Sequence, residues 1–283
     1  MNLQVIKLAL SNFTTKDLRR QIIYLTSLGK NNYNKTMNPT ILVTGSSRGI
    51  GAATALLAAK NGYNVCVNYQ KDKTAAQTIA AQIKELGQKV IIVKADISQE
   101  EDVIRLFESC DQLGQLTALV NNAGITATMS RLEDMTSQRM QEIFEINILG
   151  SFLCAREAIK RMSIKHGGQG GGIVNISSVA SKTGSPNVYI DYAASKAAID
   201  TMTLGLAKEL ADDKIRVNAV RSGFVNTDIH LISGDPNRVE NVKHLIPMNQ
   251  GGEAQEIAAS VLWLLSKEAS YVTGALLDVA GGL

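Results

Sequence analysis

Tyr192 and Lys196 stand four residues apart in Tyr192-Ala193-Ala194-Ser195-Lys196, a separation that puts a phenol and an ammonium on one face of a helix. A neighbouring cation favours phenolate, so the spacing predicts that Lys196 draws the Tyr192 pKa down from its ordinary value near ~10 and makes it a proton donor or acceptor. The same pair arises by chance on many helices and decides nothing alone. Ser177-Ser178 ends the apolar run 173–176. In a parallel sheet the carboxyl ends of strands form the ligand crevice, where a hydroxyl can hydrogen-bond a substrate oxygen; a solvated turn serine is the plainer alternative. Asn147 falls on one helical stripe with Met140, Ile143 and Phe144. A buried amide there must find partners, whether around a ligand or on the backbone.

A second constellation suits an anion. Thr44-Gly45-Ser46-Ser47-Arg48-Gly49-Ile50-Gly51 lies between the apolar run 41–43 and the alanine-rich segment 52–60, the layout of a buried strand, a glycine turn and a helix. The glycines permit tight turning and leave helix-start N–H groups aimed at whatever lies above, for which a pyrophosphate is the natural occupant. The spacing, Gly-x-x-x-Gly-x-Gly, differs from the commonest dinucleotide fingerprint, and an unliganded turn has the same composition. Asn121-Asn122-Ala123-Gly124 follows a further short apolar run, where small residues allow close approach of a ligand.

These residues need a scaffold, and the pattern supplies one. From residue 40 onward short β-branched runs at 41–43, 65–67, 90–93, 119–120, 173–176, 215–220 and 271–279 alternate with helical periodicity. That alternation predicts a parallel sheet covered on both faces. Ala76, Ile79, Ile83 and Leu86 repeat at helical spacing before Gly87. Ser98 and Glu101 read as a capping box for the helix carrying Val103, Leu106, Phe107 and Cys110. One long helix is expected from about residue 136 to the glycine-rich loop at 167–172, and others over about 191–211 and 254–265.

Composition narrows the functional classes. Of 29 basic and 26 acidic residues, Lys7, Lys16, Arg19, Arg20, Lys30 and Lys35 against Asp17 fall within residues 1–36, leaving 23 basic and 25 acidic in the remainder. A near-neutral body lacks the clustered Lys and Arg of a nucleic-acid footprint. Cys66, Cys110 and Cys154 are odd in number and widely spaced, which suggests neither a disulfide framework nor a metal site and fits a reducing, cytoplasmic setting. The apolar stretch 3–10 is far below the roughly 20 residues of a membrane span. Residues 1–36 are therefore expected to be an extension outside the fold, with residues 37–283 as the catalytic domain.

Taken together and in order, Thr44 to Gly51, Asn121 to Gly124, Asn147, Ser178 and Tyr192 with Lys196 resemble the classical type of the short-chain dehydrogenase/reductase family, including its 3-oxoacyl-acyl-carrier-protein reductases and sugar or ketone reductases. The resemblance implies an α/β fold: a single Rossmann-type, doubly wound domain whose parallel sheet of about seven strands carries helices on both faces. It implies hydride transfer between a nicotinamide cofactor and a carbonyl or secondary alcohol, on a small-molecule substrate, in a homotetramer. By that resemblance Tyr192 gives or takes the hydroxyl proton, Lys196 lowers its pKa and binds the nicotinamide ribose, Ser178 orients the substrate oxygen, and Asn147 holds a water behind the lysine. The cofactor would be held by Gly45, Ser47, Arg48, Gly49, Ile50, Gly51, Tyr69, Asp96, Asn122, Ala123, Gly124, Tyr192, Lys196, Gly223, Val225 and Thr227, with Asp96 at the adenine and Val225 and Thr227 at the carboxamide. Ser222-Gly223 stands where the family has Pro-Gly, and Ala280-Gly281-Gly282 where it has Asp-Gly-Gly. The interval from Ser178 to Tyr192 is one residue longer than in many members, which keeps Ser177 as a weaker candidate.

The end of the second strand bears on cofactor choice. NAD-specific folds place an acid there, about 20 residues after the glycines, whereas this chain has Tyr69 in Val67-Asn68-Tyr69-Gln70-Lys71. Arg48 inside the turn suits a 2′-phosphate, so NADP(H) is expected over NAD(H). A nucleotide-sensing or scaffold protein of the same fold, without turnover, is the alternative reading.

Overall fold

The computed structural model describes residues 38–229 and 233–283. The expectation for residues 1–36 lies outside that range. Seven strands form one sheet, all pairs parallel, in the order β3-β2-β1-β4-β5-β6-β7. The chain runs β1 (Thr40–Val43), α1 (Gly49–Lys60), β2 (Asn64–Tyr69), α2 (Lys73–Glu85), β3 (Val90–Lys94), α3 (Glu100–Asp111) and β4 (Leu116–Asn121). It continues through α4 (Ser137–Phe144), α5 (Gly150–Met162), β5 (Gly171–Ser178), the short α6 (Ala180–Thr183) and α7 (Ile190–Glu209). It ends with β6 (Ile215–Ser222), α8 (Arg238–Val242), α9 (Ala254–Leu265) and β7 (Leu276–Val279). This is the doubly wound α/β fold.

Strand order reverses between β1 and β4, and ligands of such sheets bind in the crevice outside the strand ends at that point. The apolar strands are continuous because both faces are buried. Leu42, Cys66, Leu119, Ile173 and Val217 pack on one side against α3, α5 and α7. Ile41, Val43, Val65, Val67, Val120 and Val174 pack on the other against α1, α2 and α9. Alternate residues of β1 thus enter different cores, as the strand's period of two requires.

Three local expectations need correction. The Ser98–Glu101 capping box does not form: Gln99 is the N-cap without a side-chain cap, and the Ser98 hydroxyl donates instead to Asp96 Oδ1 at 2.8 Å. The nearby carboxylate competes for that hydroxyl, as short polar side chains readily bond locally. The single helix expected from 136 to 167 is interrupted by a π-helical turn, Glu145–Leu149, and ends at Met162. The last strand begins only at Leu276, because Gly274 at φ +75° turns the chain just before it.

Candidate active site

The glycine turn is held by three polar side chains from neighbouring strand ends. Asn68, at the end of β2, accepts from the Gly45 N–H at 3.0 Å and donates to the Ala95 carbonyl at 3.1 Å, tying the turn to the segment after β3. Thr44 Oγ1 accepts from the N–H groups of Asn122 and Ala123, each at 3.0 Å. Asn122 Nδ2 returns to the carbonyls of Thr44 and Gly45 at 2.8 and 3.1 Å. The Asn122 amide therefore braces the turn. Gly45 and Gly49 have φ of +62° and +57°, a region that favours glycine. Helix α1 starts at Arg48 with no side-chain cap and no acid in its first turn, so its N–H groups and dipole remain available to an anion.

The turn forms one end of a cavity of about 650 Å³, within the usual range for cofactor sites. It runs along Tyr69, Asp96, Ala123 and Gly124 to Ser178, Tyr192 and Lys196, with Gly223, Val225 and Thr227 on the opposite wall. Gly45, Ser47, Arg48, Gly49, Ile50 and Asn122 also line it. Gly51 and Asn147 are not among its lining residues. A Cβ on Gly51 would lie 2.5 Å from Asn122 Nδ2, so this glycine lets the helix start close on the brace beneath the turn. A Cβ on Gly49 would lie 3.4 Å from Thr227 Cγ2, so the loops after β1 and β6 come close together at this end of the cavity.

Arg48 is exposed and has no carboxylate partner among the described residues. Tyr69 is buried at the end of β2. Asp72 also lines the cavity and caps α2, its carboxylate accepting from the Ala75 N–H at 2.9 Å. Asp96 accepts from Gln70 Nε2 at 2.6 Å and from the Ser98 N–H at 3.0 Å.

At the other end the catalytic candidates converge. Ser178 closes β5, lines the cavity together with Tyr192, and accepts from the Ala180 N–H at 3.1 Å. Ser177 points to the opposite side, where its hydroxyl donates to the Lys196 carbonyl at 3.2 Å and fixes α7 to β5. Lys196 is buried, donates from Nζ to the Ile176 carbonyl at 2.8 Å, and lies 5.6 Å from the Tyr192 ring centroid. Asn147, in the π-helical turn, donates to the Ile125 carbonyl at 2.9 Å and to Ser195 Oγ at 3.0 Å, and accepts from the Ile125 N–H at 2.8 Å. A Cβ on Gly124 would sit 3.3 Å from Asn147 Oδ1 and 3.4 Å from Lys196 Nζ, so glycine here lets the backbone pack close against both groups.

The pKa pattern differs from the expectation that Lys196 governs Tyr192. Removal from water is the largest influence and pushes the phenol up to about 12, with the Ser178 side chain acting in the opposite direction. Burial also pulls Lys196 down to about 8, opposed by the Asp200 carboxylate. Desolvation disfavours whichever form is charged, hence the opposite directions for acid and base.

Both departures near the chain's end are accommodated. Without a proline, Ser222 Oγ donates to the Ser177 carbonyl at 3.3 Å and the Gly223 N–H to the Val279 carbonyl at 3.0 Å, which anchors the loop after β6. Gly281 accepts from the Met248 N–H at 3.0 Å, so the segment after β7 is anchored despite Ala280, and Leu283 reaches the cavity wall beside Leu245.

A protein-family model described as Enoyl-(Acyl carrier protein) reductase matches residues 45–283. The chain is 54% identical over 242 residues to the uncharacterized oxidoreductase YgfF of Escherichia coli (strain K12), covering 85% of this chain and 98% of that one. It belongs to the short-chain dehydrogenase/reductase family. Glucose 1-dehydrogenase 2 of Bacillus subtilis (strain 168) is 37% identical, over 89% of this chain and 96% of that relative. A crystal structure of a short-chain dehydrogenase from Burkholderia cenocepacia J2315 in complex with NADP superposes with a TM-score of 0.80 at 32% identity, covering 88% and 99% of the two chains. This short-chain dehydrogenase/reductase is thus an oxidoreductase of a nicotinamide-dependent family. Thr44, Asn68 and Ser195 were not singled out as site residues in the sequence. Asn68 carried a signal, a lone amide closing the otherwise apolar run 65–67.

Proposed function

We propose that the protein transfers hydride between NADP(H) and a small carbonyl compound or secondary alcohol, with Tyr192 as general acid and base. The observation that carries this reading is the convergence of Ser178, Tyr192 and Lys196 on one cavity, where burial pushes the phenol up to about 12 and Lys196 Nζ lies 5.6 Å from the phenol ring centroid. A bound nicotinamide would supply or accept the hydride. Ser178 and Tyr192 would hold the substrate oxygen, Tyr192 would deliver its proton during reduction, and Lys196 would hold the ribose hydroxyls and stabilise the resulting phenolate. Asn147 would support Lys196 from behind Gly124.

The residues fit a dinucleotide: an uncapped helix start, a braced glycine turn and an elongated cavity between strand ends. The case for NADP(H) is the unpaired Arg48 guanidinium at the turn, the buried Tyr69 where an acid would repel a 2′-phosphate, and the use of Asp72 as the cap of α2. The NADP bound to the Burkholderia relative agrees with it. As substrate, a sugar, polyol or small ketone is favoured over an acyl-carrier thioester. The basic residues lining the cavity are Arg48, Lys71 and Lys196, of which none forms the basic rim an acidic carrier would want. A scaffold without turnover would not need all four catalytic positions assembled.

We place the enzyme in the cytoplasm, where the buried free Cys66, Cys110 and Cys154 stay reduced. Among the described residues no helix is long and apolar enough to cross a membrane. Exposed Phe144 on α4, Leu149 in the π-helical turn and Phe152 on α5 support a homotetramer, since apolar exposure of this kind suits subunit contact. The test is steady-state kinetics with both cofactors against sugars, diols, small ketones and an acetoacetyl thioester. NADP(H) should exceed NAD(H) by at least about tenfold in kcat/KM, roughly 1.4 kcal/mol. Equal efficiency, or a preference for NAD(H), defeats the cofactor assignment, and no turnover across the panel favours the scaffold.

A further inference from the structure

Arg139, on α4, lies outside the cavity yet is bonded to two segments that carry residues of its lining, the one after β4 and the first turn of α7. Its Nε and Nη2 reach Asp191 Oδ2 and Oδ1 at 2.8 and 3.3 Å, and its Nη1 reaches the Thr128 carbonyl at 2.6 Å. The Asp191 side chain is only 1% exposed and that of Arg139 15%. Asp191 Oδ1 also accepts from the Tyr192 N–H at 2.9 Å, within the first turn of α7. Thr128 belongs to the segment after β4, whose Gly124, Ile125 and Thr126 line the cavity. The same segment is bonded to the approach to α7 from Ser130 N–H to the Val188 carbonyl at 3.1 Å.

We infer that Arg139 is a positioning residue that locks the substrate wall after β4 to the helix turn carrying Tyr192, and so sets which carbonyl compounds fit between them. The inference deepens the reading of Tyr192 given above and rests on it. A planar guanidinium is suited to this task, because its fork can bind a carboxylate through two nitrogens and leave a third for a carbonyl on another segment. Lysine offers one nitrogen and cannot hold both partners in the same fixed geometry. The carboxylate end of the clamp acts on the backbone N–H of the catalytic residue itself, so slack in the clamp is passed directly to the phenol. Reaction rates are sensitive to misplacement of about 1 Å in such an arrangement.

The ion pair can also be purely an anchor for α7, and the experiment separates the two roles. The variants are Arg139→Lys and the paired Arg139→Met/Asp191→Leu, since replacing both members of a buried ion pair by apolar residues often preserves stability whereas removing one does not. Thermal melting, NADPH affinity by fluorescence, and kcat and KM with the best carbonyl substrate are measured on each. The clamp predicts folded proteins with NADPH affinity within about twofold of wild type and kcat/KM for the carbonyl reduced at least about tenfold in the paired variant, with Arg139→Lys intermediate and expressed mainly in KM. A kcat/KM within about twofold of wild type in folded Arg139→Lys and in the paired variant overturns it. Equal loss of NADPH affinity and carbonyl turnover also overturns it, because the pair then supports the fold as a whole. If the paired variant does not fold, Arg139→Lys alone decides by the same criteria. Wild-type protein that turns over no carbonyl defeats the enzyme reading and this inference together, whereas active wild type with unaltered variants defeats the clamp alone.

Discussion

Tyr192 and Lys196 share one chemical problem, which is that each must carry its charge in a place that disfavours charge. Burial holds Tyr192 up to about 12 and Lys196 down to about 8, so near neutrality the phenol is protonated and the ammonium is largely retained. The reduction proposed above calls for both of those forms. The sign follows: Tyr192 remains a donor across the ordinary pH range, and Lys196 loses its proton as pH rises through about 8. The kcat/KM for NADPH-driven reduction should be level on the acid side of that point and decline beyond it, and a rate still level at about pH 10 would rule out the role given to Lys196. Tyr192→Phe should lower kcat by roughly 10² or more while leaving NADPH affinity nearly unchanged, because the phenol acts on the proton in the transition state. More than about a tenth of wild-type turnover in that variant sinks the assignment. For cofactor choice, Arg48→Ala should weaken NADPH far more than NADH. Equal weakening of the two, in binding titrations, means that Arg48 shapes the turn and does not read a phosphate.

Elements do for these residues what the residues cannot do alone. Strand ends β1, β2 and β4 brace the glycine turn through Thr44, Asn68 and Asn122, and beneath them a buried chain of amides holds the next layer. There Asn121 donates to Asn175 at 3.0 Å, and Asn175 to Thr203 Oγ1 at 2.9 Å, joining β4, β5 and α7. Asn68→Leu keeps the branching of the side chain but strips the Gly45 N–H and the Ala95 carbonyl of their partner. An unmet buried polar group costs about 1–3 kcal/mol. The expected outcome is a lower melting temperature together with weaker NADPH binding, since the turn that receives the pyrophosphate is loosened; unchanged NADPH affinity would show that the brace is not needed. The strands and the motif-bearing turns were legible in the sequence because apolar runs, glycines and helical periodicity report local structure directly. The π-helical turn at Asn147 was not, since Met140, Ile143, Phe144 and Asn147 continue the same helical stripe and the interruption answers to the Ile125 backbone, which lies far away in sequence. The capping-box pattern at Ser98 failed for a related reason: Asp96 competes for the hydroxyl, and a pattern of residue types does not rank competing partners. Arg139 was silent because its partners Thr128 and Asp191 meet only in the folded chain.

At the scale of the whole molecule, the two cores on either side of the sheet are complete within the described body. The first strand starts at Thr40, and Ile41, Leu42 and Val43 are fully buried by elements that all follow them in the chain. Asn38 is tied to the body, donating from Nδ2 to Gln88 at 2.7 Å, and the Pro39 carbonyl accepts from the Asn64 N–H at 2.8 Å. Composition changes at the same place, from a basic, asparagine-rich segment to a near-neutral one. We therefore propose residues 37–283 as the catalytic domain, with residues 1–36 outside it. The consequence is measurable with a protein beginning at Met37: it should be soluble, melt within a few degrees of the full chain and retain its kcat/KM, because tolerance to truncation follows from the burial and hydrogen bonding of the backbone removed. A truncated protein that is insoluble, or that melts markedly earlier, would mean that residues 1–36 pack on the body. Loss of activity with an unchanged melting temperature would instead give the segment a part in the site.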